Sequence, residues 1–301
     1  MSAWSSRYHN PDAHIALVCD KETLESAKES YRAKSLEIFD ETITVDFDPG
    51  ISQKQRSRWL KTNLREYIRG DFLYIDTDTV ITGCLNEIDD WNFDIGMVKN
   101  EHHSRSVSPF CIQLYEKAYK ETLPVDVPYY NTGVMFVKDT EKAKSFFYQW
   151  HHNWRGLGDI IDYTDQTPLI RTIIENGSPI TEISGVYNCQ ISLSVKYLHH
   201  AKIIHFFHCW FHSFSTVSPF MDKLTYKRVR DRQGIDDELK QIIINCNNEF
   251  EEKSAPFGED VLRFLESTTI RFVLLPLFFK KRALYQRADK ILHSIYKLVK
   301  F

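Results

Sequence analysis

Two aspartates, Asp76 and Asp78, follow directly after the apolar segment FLYI at residues 72–75. Side chains two residues apart in an extended chain point to the same side, so these carboxylates converge on one object. Carboxylates held together share a proton or bind a cation, because their repulsion is otherwise unrelieved. The spacing therefore predicts a divalent cation site at the end of a buried strand. The alternative is that both are surface residues of a turn.

A histidine, His205, ends a second strand-like segment that begins at residue 201. Oxygen ligands suit Mg²⁺ or Mn²⁺, and an imidazole ligand favours Mn²⁺. A metal with few protein ligands keeps positions open for substrate phosphates, where it neutralises charge on a leaving diphosphate. We expect Asp76, Asp78 and His205 to bind Mn²⁺ or Mg²⁺; alternatively, His205 is a core histidine.

The elements that position these residues alternate between strands and helices. Short apolar or alternating segments predict strands at residues 14–19, 42–47, 72–75, 93–99, 131–139 and 201–207. Amphipathic helices are predicted between them, including one that Asp20 caps and a long one from Ser52 to Ile68. This order predicts an α/β fold with a mostly parallel, doubly wound sheet flanked by helices. Ligands bind beyond the carboxyl ends of the strands in such sheets.

A strand that runs into Asp-x-Asp also resembles the nucleophile motif of haloacid-dehalogenase-like phosphatases. A phosphatase that uses Asp76 and Asp78 is therefore an alternative. Such enzymes need a second acidic element after another apolar strand, and the nearest candidate is Gly158-Asp159 with Asp162. Its spacing is short, and no apolar strand precedes it.

Four segments, taken in order, resemble family 8 glycosyltransferases, the retaining nucleotide-sugar enzymes that include glycogenin and bacterial lipopolysaccharide galactosyltransferases. The segments are RWLKTNLREYIRGDFLYIDTDTVI (58–81), YYNTGVMFVKD (129–139), DYTDQTPLIRTI (162–173) and AKIIHFF (201–207). The resemblance spans about residues 55–208. It implies a GT-A fold, which is a Rossmann-like nucleotide-sugar-binding domain with a mixed, mostly parallel sheet.

The resemblance also implies roles for individual residues. Asp165 would contact sugar hydroxyls, and Gln166 would lie near the anomeric carbon as a catalytic residue. The metal ligands would be Asp76, Asp78 and His205. The implied donor-binding residues are Lys61, Asp76, Thr77, Asn131, Gly133 and Asn188. For Asn188, a simple turn is an equal alternative.

The reaction implied is transfer of a hexose, from UDP-Gal or UDP-Glc, to a glycan or lipid-linked acceptor in lipopolysaccharide or other cell-surface polysaccharide synthesis. Sugar transfer passes through an oxocarbenium-like state, and a bridging metal stabilises the departing diphosphate. Retention of configuration is expected, with neutral Gln166 where a nucleophile would otherwise stand. A degenerate protein that binds a sugar nucleotide without catalysis is a further alternative.

The sequence departs from the family pattern in two places. Family members place Gly and then Lys-Pro-Trp after the histidine, but here no lysine precedes Lys223. Either His208 or His212 replaces the lysine that holds the diphosphate, or the diphosphate is held less tightly. The structural alternative is that both histidines pack among aromatic residues. Arg58, on the same helix as Lys61, is a further phosphate-binding candidate. The second departure is that the first strand of the fold is expected to be missing, so that the natural protein would be longer.

Composition separates an acidic body from a basic tail. The 301 residues carry a net charge of −3, which gives no general attraction to nucleic acid. Residues 270–301, however, hold eight lysines and arginines against Asp289 alone. We expect a glycosyltransferase domain at 1–220 and a helical extension at 221–301.

The tail is basic and amphipathic in pattern. Its apolar face would consist of Leu284, Ala288, Ile291, Leu292, Ile295 and Val299. Such helices lie on anionic membranes, although this one could instead pack back on the domain. Six dispersed cysteines without a CxxC pair, no signal segment and no apolar run near 18 residues favour the cytoplasm. We therefore expect a cytoplasmic protein, peripheral on the inner face of the membrane.

Overall fold

The computed structural model describes residues 1–102, 109–124, 126–158, 164–191, 196–206, 223–247, 273, 277 and 281–298. The chain divides into two compact units. The larger comprises Met1–Val107 and Cys111–Ser254, and the smaller comprises Ser108–Phe110 and Ala255–Phe301. The candidate residues for chemistry all belong to the larger unit.

The larger unit combines short strands with helices. The strands are β1 (Ala16–Asp20), β2 (Glu41–Val45), β3 (Phe72–Ile75), β4 (Thr79–Ile81), β5 (Ile95–Lys99), β6 (Tyr130–Val137), β7 (Ile180–Glu182), β8 (Cys189–Gln190) and β9 (Ile203–His205). The helices are α1 (Ser2–His9), α2 (Lys21–Lys28), α3 (Gln53–Thr62), α4 (Leu64–Tyr67), α5 (Pro109–Tyr119), α6 (Glu141–Gly156), α7 (Gln166–Asn176), α8 (Lys223–Asp231) and α9 (Asp237–Ile244). Single 3₁₀ turns at Asn100–His102 and Gly185–Tyr187 border the candidate site.

Polar side chains cap the N-termini of α2 and α3. Asp20 accepts a hydrogen bond from the backbone N–H of Thr23 at 3.0 Å, and Ser52 forms a reciprocal capping box with Gln55. The predicted long helix is interrupted, since α3 ends at Thr62 and α4 begins at Leu64. The Thr62 hydroxyl donates to the carbonyl of Arg58 at 2.9 Å, a bond that bends helices.

The strands form three hydrogen-bonded groups. β1 pairs parallel with β2; a four-stranded sheet has the order β3-β6-β5-β7; and a three-stranded sheet has the order β4-β9-β8. Within the described residues three pairings are parallel and three are antiparallel. The α/β class is confirmed, but the share of parallel pairing is smaller than expected, because β6 runs antiparallel to both of its neighbours.

The core lies on both faces of β6, whose eight residues are all buried. Met135 and Val137 pack toward Phe147 and Trp150 of α6, while Phe136 packs in a separate cluster on the other face. A strand covered on both faces reads as a continuous apolar run, which is how YNTGVMFV reads from Gly133 onward. The strand that carries Asn131 and Gly133 is therefore packed on both faces.

Two further helices cover the β4-β9-β8 sheet. Ser5 of α1 accepts a hydrogen bond from the backbone N–H of Ile81 at 3.0 Å, so α1 covers the edge of β4. Leu239 and Ile243 of α9 are buried in the same cluster as Ile204 of β9. Part of the predicted C-terminal extension therefore belongs to the larger unit.

The smaller unit contains α10 (Arg282–Leu298), a strongly amphipathic helix. Leu284 and Ile291, which are two turns apart on the predicted apolar face, are 48% and 61% exposed. In the described part of the chain, no helix has the length and apolarity needed to cross a bilayer.

Candidate active site

Two strand pairings, β3 with β6 and β4 with β9, bring Asp76, Asp78 and His205 together. The backbone N–H of Asp76 continues the β3-β6 ladder by donating to the carbonyl of Gly133 at 2.8 Å. Asp78 precedes β4, and its carbonyl accepts from the N–H of Phe206 at 2.9 Å, which sets it beside the end of β9. The strand ends that the sequence predicted thus meet at one place.

These three side chains form a donor set that suits a divalent metal. Nε2 of His205 lies 3.2 Å from Oδ1 of Asp78 and 4.0 Å from Oδ2 of Asp76. One ligand atom from each residue lies within 4.8 Å of the other two. Two carboxylate oxygens and one imidazole nitrogen are ligands that Mn²⁺ accepts and that leave positions open.

The charge of Asp78 is maintained by its neighbours. Burial alone would raise its pKa, but the hydrogen bond and charge of His205, together with Lys61, hold the pKa below its ordinary value. The carboxyl is therefore ionised at neutral pH, as a metal ligand must be.

Lys61 connects the candidate metal ligands with the candidate sugar contact. Its ammonium lies 3.0 Å from Oδ2 of Asp76 and 3.0 Å from Oδ2 of Asp165, and the side chain is only 4% exposed. Tyr74, which the sequence reading did not single out, donates its hydroxyl hydrogen to Oδ1 of Asp76. The signal was available, since Tyr74 lies two residues before Asp76 and therefore points to the same side.

Asp165 is a buried carboxylate with several donors. The hydroxyl of Thr132 donates to its Oδ2 at 2.7 Å, and Nε of Arg58 lies 3.7 Å from its Oδ1. Burial would raise the pKa of Asp165, but Lys61, Arg58 and Thr132 together hold it well below its ordinary value. A permanently charged carboxylate at this point is suited to accept hydrogen bonds from sugar hydroxyls.

Gln166 is the first residue of α7 and lies beside β6. Its Nε2 donates to the carbonyl of Tyr130 at 2.9 Å and to Oδ1 of Asn100 at 3.1 Å. Asn100 was missed by the sequence reading. It follows β5 without any pattern of its own, and only the pairing of β5 with β6 places it here.

The remaining predicted residues occupy different surroundings. Asn131 and Asn188 are buried and hydrogen-bonded to each other at 2.9 Å, and Asn188 also contacts His205 at 3.1 Å. The backbone of Gly133 lies against the His205 ring, and Thr77 is exposed between the aspartates. Direct contacts of these residues with a donor stay predictions. His208 and His212, and the phosphatase element Asp159 and Asp162, lie outside the described residues.

Comparison with known proteins identifies the family. The family described as glycosyl transferase family 8 matches residues 8–210. No curated protein matches the sequence. Solved structures that resemble the chain include mouse xyloside xylosyltransferase 1 in its apo form, at 14% identity, covering 63% of this chain and 82% of that one, with a TM-score of 0.40.

Two further structures are similar at the same level. The galactosyltransferase LgtC with donor and acceptor sugar analogues shares 17% identity over 68% of this chain and 80% of that one, with a TM-score of 0.44. The glycosyltransferase GlyE of Streptococcus pneumoniae in its apo form shares 13% identity over 84% of this chain and 61% of that one, with a TM-score of 0.41.

The family match includes every residue of the site described above, from Arg58 to His205, and covers more than half of the chain. Of the two resemblances in the sequence, it supports the transferase and gives no support to the phosphatase. The expected GT-A type of α/β fold follows from it. The protein belongs to glycosyl transferase family 8 and is a glycosyltransferase.

Proposed function

We propose that the enzyme transfers a hexose from UDP-Gal or UDP-Glc to a glycan or lipid-linked acceptor, with retention of configuration, in the synthesis of lipopolysaccharide or another cell-surface polysaccharide. The observation that carries this proposal is the convergence of Asp76, Asp78 and His205, whose ligand atoms lie within 4.8 Å of one another. A divalent cation can neutralise the diphosphate of a nucleotide sugar, and this donor set provides the place for one.

The metal proposed for the site is Mn²⁺, or alternatively Mg²⁺. When bound, it supplies neutralisation of the negative charge that develops on the departing diphosphate. The two aspartates and His205 would hold it, while Tyr74 and Lys61 keep the Asp76 carboxylate in place through their hydrogen bonds. The Asp76 carboxylate is therefore already oriented before the reaction begins, so the site needs little reorganisation during it.

The sugar of the donor is proposed to lie against Lys61, Asp165 and Gln166. Asp165, ionised and fixed by Lys61 and Thr132, would accept hydrogen bonds from sugar hydroxyls. Gln166 would stand beside the anomeric carbon as a neutral group. The side chains of Thr77 and Asn188 and the Asn131–Gly133 segment are proposed to complete the donor site.

Arg58 is proposed to bind the diphosphate. It lies one helical turn before Lys61, its side chain is 32% exposed, and its Nε lies 3.7 Å from Oδ1 of Asp165. A guanidinium is well suited to phosphate oxygens because it presents a planar fork of donors. It would compensate for the lysine that the family places after the metal-binding histidine.

The C-terminal tail is proposed to contact the inner face of the cell membrane. The exposed Leu284 and Ile291 of α10 would enter the interface, and the lysines and arginines of residues 270–301 would bind anionic headgroups. In this proposal residues 1–220 form the glycosyltransferase domain and residues 221–301 the extension, in a cytoplasmic protein.

The function is tested by incubating the full chain with a panel of nucleotide sugars and Mn²⁺ and measuring nucleotide release. The proposal expects UDP to be released from UDP-Gal or UDP-Glc, and EDTA to stop the reaction. Binding of the donor without release under any condition would contradict it in favour of a non-catalytic binder. Release of phosphate from generic monoesters would favour a phosphatase.

A further inference from the structure

A chain of side-chain amides connects the two halves of the site. It runs from His205 through Asn188, Asn131 and Asn100 to Gln166, with each successive pair joined by a hydrogen bond of 2.9–3.1 Å. These residues come from five separate segments of the chain. Because an amide has one donor end and one acceptor end, the orientation of each member constrains the next.

The first fixed point of the chain is the backbone of Gly133. Its N–H donates to the side-chain oxygen of Asn131 at 2.9 Å, and a backbone N–H can only donate. The Oδ1 atom of Asn131 must therefore face Gly133, which leaves Nδ2 of Asn131 to face Asn100. Asn100 in turn must present its oxygen, and Nδ2 of Asn131 lies 3.1 Å from that Oδ1.

The second fixed point is the carbonyl of Tyr130, which can only accept. Nε2 of Gln166 donates to it at 2.9 Å and also to Oδ1 of Asn100 at 3.1 Å. Both hydrogens of the Gln166 amide are thereby used. Within the described part of the chain, Oε1 of Gln166 has no protein partner, so the carbonyl end of this amide is the end that remains for a ligand.

Asn188 and the metal ligand His205 are oriented in the same way. Oδ1 of Asn131 also accepts from Nδ2 of Asn188 at 2.9 Å, so Oδ1 of Asn188 must face Nδ1 of His205. A carbonyl oxygen at that position requires a proton on Nδ1, so Nε2, which faces the two aspartates, is the nitrogen that would coordinate a metal. Asn188 is fully buried, so water does not compete for these bonds.

We propose that Asn100 is a positioning residue for the glycosyl transfer. Its Oδ1 accepts hydrogen bonds from both Asn131 and Gln166, and a backbone group orients each of those two amides. It holds the Gln166 amide so that Oε1, and not the NH₂ group, faces the sugar. The negative end of that carbonyl dipole would stabilise the positive charge of an oxocarbenium-like state. The catalytic part of this inference rests on the proposed function, whereas the amide orientation does not.

The test compares Asn100→Ala, which removes the acceptor, with Asn100→Asp, whose carboxylate still accepts both N–H groups. Asn92→Ala, at an exposed asparagine before β5, is the matched control. Side-chain amide exchange of Gln166 is measured by NMR on the full chain labelled with ¹⁵N-glutamine, with the resonance assigned through Gln166→Glu. We expect one Gln166 amide hydrogen to lose at least tenfold protection in Asn100→Ala and to recover it in Asn100→Asp.

Turnover of the donor is measured on the same proteins. Asn100→Ala should lower kcat about 30-fold while the donor KM changes less than threefold, and Asn100→Asp should recover kcat to within about fivefold of wild type. Unchanged amide exchange in Asn100→Ala, or an Asn100→Asp variant as impaired as Asn100→Ala, would overturn the inference. If the exchange result holds but no nucleotide sugar is turned over by wild type, the proposed function fails and the orientation of Gln166 stands.

Discussion

Gly133 and His205 are packed so closely that a Cβ atom at residue 133 would lie 2.0 Å from Cε1 of the His205 ring. The register that pairs Ile75 with Val134 brings Gly133 under the strand end where Asp76 begins. Glycine is therefore needed here for space, and its φ angle is not in the left-handed region. The histidine can lie beside the aspartates only because this position has no side chain.

Gly133→Ala should displace the His205 ring and weaken binding of Mn²⁺ at least tenfold. Overpacking a closely packed site costs about 1–3 kcal/mol of stability, so thermal unfolding should shift as well. The measurement is a Mn²⁺ titration by calorimetry, with unfolding followed by circular dichroism. Gly156→Ala is the control, because nothing lies within 4 Å of its Cβ position. Unaltered Mn²⁺ affinity in Gly133→Ala would contradict the packing argument.

Lys61→Met should leave Asp76 and Asp165 without their shared cation. Breaking a buried ion pair by removing one partner costs about 3–5 kcal/mol, because the remaining charge is uncompensated. Urea unfolding measures this loss, and UDP release should fall below detection. Lys144→Met removes an exposed lysine that contacts Asp139 and Glu141, and should cost far less stability than Lys61→Met, because solvent screens exposed ion pairs. Equal losses in the two variants would show that Lys61 has no special electrostatic role.

Arg58→Gln should weaken binding of UDP about tenfold and binding of UMP much less, because the second phosphate is the group proposed to meet the guanidinium. Calorimetric titration of both nucleotides in the presence of Mn²⁺ measures the ratio of the affinities. Arg69→Gln, at an exposed arginine beyond α4, is the control. An unchanged UDP to UMP ratio would remove Arg58 from the diphosphate site.

Stability should fall as the pH drops from about 6.5 toward 4, partly through His151. Burial lowers the pKa of His151 to about 4, with Arg155 adding to the effect. A histidine with a depressed pKa contributes stability above its ordinary pKa of about 6.5, and the contribution is lost as the pH falls toward the folded value. Between these limits only the unfolded state takes up the proton.

His151→Gln should therefore make the unfolding free energy less dependent on pH between 7 and 4.5. Glutamine keeps the possibility of a hydrogen bond to the Thr62 hydroxyl, which lies 2.9 Å from Nδ1 of His151. Urea denaturation at several pH values measures the slope. His152→Gln, at the exposed neighbouring histidine, should change the slope only slightly, because His152 is the smallest contributor to the lowered pKa of His151. A wild-type slope in His151→Gln would show that other groups cause the pH dependence.

The metal ligands were predictable because strand ends are visible in a sequence. Asp76 and His205 each stand where an apolar segment stops, and Asp78 follows two residues after Asp76. The antiparallel pairing of β4 with β9 then sets Asp78, which precedes β4, beside the end of β9. Asp165 and Gln166 came from the resemblance of a short helical segment. The helix caps at Asp20 and Ser52 were local and were confirmed.

Features that depend on register were not predictable. Asn100 reaches Asn131 and Gln166 because the β5-β6 ladder shifts between Met97 and Val98, and the sequence gives no sign of that bulge. The antiparallel direction of β6 likewise depends on which strands are its neighbours. The hydrophobic periodicity of a sequence does not reveal those neighbours. The interruption at Asn63 was not predicted either; it directly follows Thr62, whose hydroxyl donates to the carbonyl of Arg58.

The central claim is that Asp76, Asp78 and His205 bind the divalent ion that faces the donor diphosphate. Its most direct test is a crystal structure of the full chain with Mn²⁺ and UDP, using anomalous scattering to locate the manganese. We predict one manganese peak within about 2.5 Å of oxygens from both aspartates and of Nε2 of His205, with UDP oxygens completing its coordination. A manganese peak bound elsewhere, or UDP bound with the His205 ring turned away from it, would contradict the account.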